Sequence, residues 1–190
     1  MNLFKIALTA ALLTATVMVS GCAKTVIDRA IEARSFEDIA KDNEIVIKVN
    51  AAMAELETIK ASTTIYEQRL LVTGLFDDKA IYERFGKSIR GVAGIRKLYW
   101  HAAYLGADVQ RKRTDLLSWD EVLVMSTKAQ GRLIGTRGVA DVNFRVAADT
   151  FGTVYLMGRA RSKQELDTAI ARARDGEGVR KIVNYAFVRP

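Results

Sequence analysis

Few side chains in this 190-residue sequence are equipped for chemistry, and the most versatile occur once each: Cys22 is the sole cysteine and His101 the sole histidine. One histidine cannot build a two-histidine metal site. The single thiol stands at the exit of an apolar leader, so a cysteine–histidine catalytic pair has no free thiol to draw on. Asp77-Asp78 and Asp120-Glu121 have the composition of general acid and base pairs. Both stand just before or at the start of predicted helices, where capping and the helix dipole account for them. The glycine- and arginine-containing runs GRLIGTRG and GRARSK do not have the spacing of a phosphate cradle between strand and helix. Arg111-Lys112-Arg113 reads as a solvated basic connector that could add to attraction for an anionic surface. The expectation is a chain that is not an enzyme and carries no cofactor and no metal.

Cys22 follows Lys5 and an uncharged segment of 14 residues, Ile6 to Val19. Spanning a bilayer takes about 20 apolar residues, whereas a signal-peptide core needs fewer, so this leader reads as an export signal. Val19-Ser20-Gly21-Cys22 resembles the lipobox of bacterial lipoproteins. The resemblance implies a diacylglycerol thioether on Cys22, cleavage before it, and a signal peptide over residues 1–21. Committing the only thiol to lipid leaves no intramolecular disulfide, so the fold must rest on its core. A 49% hydrophobic content supports one. The net charge of +7 favours polyanionic partners. For an exported chain the expected polyanion is membrane phospholipid and not nucleic acid, with about 1 kcal/mol from each cation held at such a surface.

Hydropathy patterning supplies the elements. Ala23 to Lys41 reads as a polar tether, giving a lipidated N-terminus and linker over 22–41. Asp42 or Asn43 is a plausible N-cap for an amphipathic helix through Ile45, Val49, Ala52 or Met53 and Leu56. Thr63–Tyr66 and Arg69–Phe76 read as a hairpin around Glu67-Gln68, although neither turn residue is glycine. Lys79–Arg90 is a helix closed by Gly91, and Ile95–Tyr104 a strand.

The same order then recurs: a helix over Trp119–Ile134, a strand over Asp141–Ala148, the Asp149–Gly152 turn, a strand over Thr153–Ala160, a helix over Ser162–Arg174, and a strand over Val179–Val188. A constant shift of 84 superposes Gly74 on Gly158, Lys79 on Lys163, Gly94 on Gly178, Arg96 on Arg180 and Lys97 on Lys181. Apolar positions obey it too, Tyr82 meeting Leu166 and Leu98 meeting Ile182. This is an internal duplication. The paired motifs LLVTG/VYLMG and GIRKL/GVRKI resemble the BON domain of bacterial envelope proteins. Two such units behind a lipobox resemble the dual-BON outer-membrane lipoproteins, with Glu67-Gln68 a departure from the usual glycine.

That resemblance implies an α+β fold of two tandem αββαβ domains, over 42–110 and 111–190, each a three-stranded mixed sheet with two helices on one face. Units this small are marginal alone, so the copies are expected to pack on each other. It implies a protein on the outer membrane facing the periplasm that binds anionic phospholipid through its second domain and supports envelope integrity; Ala23 after the cysteine resembles outer-membrane sorting. Carried over by position, the lipid-contacting residues are Val124, with Lys128 and Arg132 at i+4 and i+8, and Trp119 upstream. Trp119 also reads as a core or interdomain residue. The alternative is a periplasmic protein-binding or chaperone-like module with envelope protein partners.

Overall fold

The computed structural model describes residues 32–56 and 61–189. The leader, Cys22 and the linker up to residue 31 lie outside the described residues. From Ala33 on the chain forms one compact unit.

The first helix, α1 (Phe36–Ala54), starts seven residues earlier than the apolar period suggests. Its N-cap is Ser35, whose hydroxyl accepts the Asp38 amide N–H at 3.0 Å, and Asp38 lies at the third helical position, the spacing of a capping box. The expected linker over 22–41 therefore ends in helix, and Asp42 is not a cap. It is a helix-interior carboxylate, 2% exposed, on the buried stripe with Ile45 and Val49. Asp42 accepts from the backbone N–H of Glu67 at 2.9 Å and of Gln68 at 2.6 Å, and pairs with Arg34 at 2.6 Å.

Those bonds explain the turn that lacks glycine. Strands β1 (Ala61–Tyr66) and β2 (Arg69–Phe76) pair antiparallel with Tyr66 opposite Arg69, leaving two loop residues. Glu67 and Gln68 have φ of 49° and 56°, the type I′ geometry that suits strand twist but burdens a side chain with Cβ crowding. The Asp42 carboxylate holds both amides in that conformation. The second hairpin uses Gly152 at φ 77° instead.

Helix α2 (Lys79–Arg90) is capped by Asp78, whose carboxylate accepts the Ile81 N–H at 2.9 Å. Gly91 ends it in a right-handed conformation, φ −79°, and not the left-handed one expected of a closing glycine. Strand β3 (Lys97–Tyr104) then pairs parallel to β2. A short α3 (Ala107–Lys112) connects to the second unit, and its basic run is partly paired, Arg111 with Asp108 and Arg113 with Asp115.

The second unit repeats the scheme. Helix α4 (Trp119–Leu133) is followed by a 3-10 turn (Asp141–Asn143), where strand was expected, then β4 (Phe144–Ala148) and β5 (Thr153–Ala160), antiparallel. Helix α5 (Lys163–Arg174) leads to β6 (Lys181–Asn184) and β7 (Phe187–Val188), both parallel to β5 in one register. The expected continuous last strand is broken because Asn184 hydrogen-bonds the N–H and C=O of Ala186, replacing the ladder locally.

Each sheet has its two longer helices on one face, packed through Ile45, Val49, Phe85 and Ile89 in the first unit and Met125, Ala129, Leu133 and Leu166 in the second. Equivalent glycines mark the duplication in space: an added Cβ on Gly94 would lie 3.3 Å from Ile45, and one on Gly178 3.2 Å from Met125. The remaining faces of the two sheets meet through Tyr66, Leu71, Ala147, Tyr155 and Met157. The order is thus helices, sheet, sheet, helices. It explains why the central strands β2 and β5 are buried almost throughout and show no alternation of apolar and polar residues.

Candidate functional site

Helix α4 is set by its sequence at both ends. Ser118 and Glu121 form a capping box: the Ser118 hydroxyl accepts the Glu121 N–H at 3.3 Å, and the Glu121 carboxylate accepts the Ser118 N–H at 2.7 Å. The Ser118 backbone bond, and then its hydroxyl, hold the Glu121 carboxyl below its ordinary value. The acidic pair Asp120-Glu121 is accordingly the first turn of a helix. Val122, Met125, Ala129 and Leu133 turn into the core and so orient everything else on the helix.

The outward side is what the core leaves over. Val124 is 49% exposed and Lys128 is exposed beside it, where sequence spacing places them. Leu123, at 43%, and Ile134, just past the helix and 63% exposed, extend the apolar surface. Neither of these two is among the residues expected from spacing. The available signal was their separation of eleven residues, which brings the helix back to within about 20° of the same side.

Arg132 is placed differently from the expected site, and Trp119 takes the second of its two expected readings, the interdomain one. Arg132 lies on the α4 side that meets α5, and its guanidinium folds against Gly176; a Cβ there would stand 2.5 Å from it. Its Nη1 is buried and has no hydrogen-bond partner among the described residues. Arg132 therefore lines a groove of about 670 Å³ with Asp167, Ile170, Arg174 and Gly176 instead of joining the outer face. Trp119 is half-buried and lines a cleft of about 320 Å³ with Leu75, Gln110, Leu117 and Thr150. Since those residues come from both units, the tryptophan sits at their junction.

His101 lies in the layer between the sheets. Its Nε2 is 2.6 Å from the Tyr185 hydroxyl and its ring 4.5 Å from that of Tyr155. Tyr185 in turn stacks on Tyr99 at 3.9 Å. Burial lowers the His101 pKa and the Lys181 cation adds to this, against an opposing pull from Asp149. Asp149 accepts from the Tyr155 hydroxyl at 2.7 Å and from the N–H groups of Phe151 and Thr153, both at 2.9 Å. Burial first, then this bond to Asp149, pushes the Tyr155 phenol up. Arg69 ties the sheets together, donating to Tyr185 O at 2.8 Å and Gly158 O at 3.3 Å. These bonds fix how the second unit is held.

Charge is unevenly shared. Residues 111–190 hold 15 Lys/Arg against 9 Asp/Glu, a net +6 of the chain's +7, while residues 42–110 hold 9 of each. Among the described residues, no helix is long and apolar enough to cross a membrane. The apolar outer face of α4 thus belongs to the basic unit.

A relative described as "Uncharacterized protein in gshII 5'region", from Anaplasma centrale, is 25% identical over 154 residues, covering 78% of this chain and 95% of the relative. Two solved structures of CdsD, described as a structural protein of the Type III secretion system of Chlamydia trachomatis, also align. One is 10% identical with a TM-score of 0.30, covering 76% of this chain and 92% of that one. The other, its C-terminal domain, is 11% identical with a TM-score of 0.33, covering 76% and 97%. Those scores carry no argument about fold or function. The sequence model of the BON domain matches residues 125–190, so that a BON domain occupies the second unit from the middle of α4 to the chain's last residue.

Proposed function

We propose that this protein is a lipid-anchored outer-membrane lipoprotein facing the periplasm, whose second unit docks on anionic phospholipid and supports envelope integrity. A BON domain suggests a phospholipid-binding or envelope-associated role. The observation that carries the finer reading is the pairing, on one unit, of an exposed apolar helix face with nearly all the net positive charge. Leu123, Val124 and Ile134 would enter the acyl boundary while Lys128 stays at headgroup level. Acylation of Cys22 would supply a first attachment and the α4 face a second. A diacylglycerol on Cys22 would bring two acyl chains, and the cationic face would add headgroup attraction to that anchor and orient the second unit on the bilayer.

Flotation of the chain from Ala23 onward with liposomes tests the docking step apart from the anchor. Binding should rise with the anionic lipid fraction, fall with salt, and drop about tenfold or more in Val124→Glu and in Lys128→Glu. Trp119→Ala and Arg132→Ala should bind nearly as wild type, because neither side chain lies on the outer face. Equal binding to neutral and anionic liposomes, or unchanged binding in Val124→Glu, overturns the reading; capture of periplasmic peptides without liposome affinity would favour the protein-binding alternative. Mass spectrometry of the native protein checks the anchor: an unmodified Cys22 on an uncleaved leader refutes it.

A further inference from the structure

We infer that the outer face of α1 is a self-association surface, which seats the α1 of a second copy of this chain antiparallel to it. This goes beyond the membrane reading and does not depend on it.

Phe36 is 83% exposed and Ile47 69%, the two most exposed large hydrophobic side chains of the described residues. Eleven residues separate them, so they stand within about 20° of each other around the helix. Between and beyond them on the same side are Ala40, Ala51 and Ala54, all exposed. Small residues of this kind let a second helix approach closely. Among the described residues nothing covers this stripe: α1 packs inward through Asp42, Ile45 and Val49, and its outer side faces away from both sheets.

The flanking charges say what fits there. Along one edge of the stripe run Glu37, Lys41, Glu44 and Lys48, joined within the helix as Lys41–Glu37 at 2.5 Å and Lys48–Glu44 at 2.6 Å. In an antiparallel helix pair related by a two-fold axis, each flank lies beside the same flank of its mate. A two-fold near position 42 places Glu37 beside the partner's Lys48 and Lys41 beside the partner's Glu44, so all four contacts are of opposite sign. The same register brings Phe36 onto the partner's Ile47 and Ala40 beside the partner's Asn43. The other edge carries the exposed amides Asn43 and Asn50, which can hydrogen-bond their own kind. A parallel pair would instead set the charged edge against the amide edge. This surface is thus self-complementary in one orientation, as an isologous contact requires.

The four-layer order leaves room for both activities, because α1 and α4 lie on opposite sides of the paired sheets. A molecule resting on a bilayer through α4 would present α1 to a second copy.

The test uses the chain from Ala23 onward, which keeps the whole compact unit from Ala33, in sedimentation equilibrium over a micromolar concentration series. Wild type should show a monomer–dimer equilibrium, and Ile47→Lys should weaken it by about tenfold or more. Lys41→Glu and Glu44→Lys should each be monomeric, since each sets like charges across the two-fold. An equimolar mixture of these two variants should dimerise, because the carboxylate introduced in one chain then meets the ammonium introduced in the other. Far-ultraviolet circular dichroism should be unchanged throughout, all three positions being exposed. A monomeric wild type, an Ile47→Lys dimer of undiminished affinity, or a mixture that stays monomeric overturns the inference. Liposome flotation of Ile47→Lys should match wild type, which separates this failure from failure of the membrane reading.

Discussion

Asp42→Ala is the sharpest available perturbation of the fold, because one carboxylate closes four polar bonds from inside a helix. It accepts from two backbone amides of the Glu67-Gln68 turn and from Gln68 Nε2, at 2.9, 2.6 and 3.0 Å, and pairs with Arg34 at 2.6 Å. An alanine there leaves two buried N–H groups facing a methyl, at a cost of about 1–3 kcal/mol for each group left unmade. It also breaks a buried ion pair by removing one partner, which typically costs about 3–5 kcal/mol in total. These losses overlap, so the expected destabilisation is about 4 kcal/mol and not their sum. In melting temperature that is roughly 10 °C for a domain of this size. Asp42→Asn keeps one acceptor oxygen and should lose about half as much. The mechanism adds a rescue: with the carboxylate gone, the left-handed conformation of Gln68 is unsupported, and Gln68→Gly in the Asp42→Ala background should restore about 1 kcal/mol by removing the Cβ penalty. Urea denaturation followed by tryptophan fluorescence measures this, with Trp100 in the first unit and Trp119 at the junction. A loss below about 1 kcal/mol for Asp42→Ala, or a further loss on adding Gln68→Gly, would refute the account of the turn.

Two other outcomes follow from the packing. At Gly158 an added Cβ would stand 2.1 Å from Asn143 O and 2.9 Å from Phe144 Cα, with φ at 136°; Gly158→Ala should cost several kcal/mol, visible as a matching fall in the urea midpoint, and a loss under about 1 kcal/mol would contradict the close approach of β4 and β5. His101 has its pKa lowered in the folded protein, chiefly by burial. The unfolded chain then binds more protons, so stability is complete above the ordinary histidine value of about 6.5 and is lost as pH falls through the lower folded value. Wild type should therefore lose stability as pH falls below about 6.5, and His101→Phe should flatten that slope while lowering stability throughout by loss of the Tyr185 bond. An unchanged slope would show that the histidine does not titrate between the sheets.

Much of the architecture was legible because it is written as local periodicity. The shift of 84 between the halves survives from β2 and β5 to the strands parallel to them, and the equivalent glycines at 94 and 178 each pack on the first helix of their own unit. Asp78, Ser118 and Ser162 cap the helices that their positions announce. The early start of α1 was present too, since Ser35-Phe36-Glu37-Asp38 has the same cap spacing as Ser118-Trp119-Asp120-Glu121. The isolated apolar residues of that stretch concealed it, because its outer side faces solvent and gives no period.

The order of residues alone dictates which side chains alternate between inside and outside along each element, because a helix or strand fixes that through covalent geometry. What each inside-facing group would meet depended on long-range packing. Asp42 reads as a helix cap until the hairpin amides, 25 and 26 residues further along the chain, arrive at its oxygens. Arg132 belongs to the exposed helix face by spacing, yet it packs on Gly176, and Trp119, open to two readings in the sequence, lies in the junction cleft. His101 becomes half-buried, with the Tyr185 hydroxyl as its partner, only when the second sheet closes over the first. Periodicity reports burial along one element, whereas partners come from segments that are distant in the chain and are brought together by the packing of two sheets.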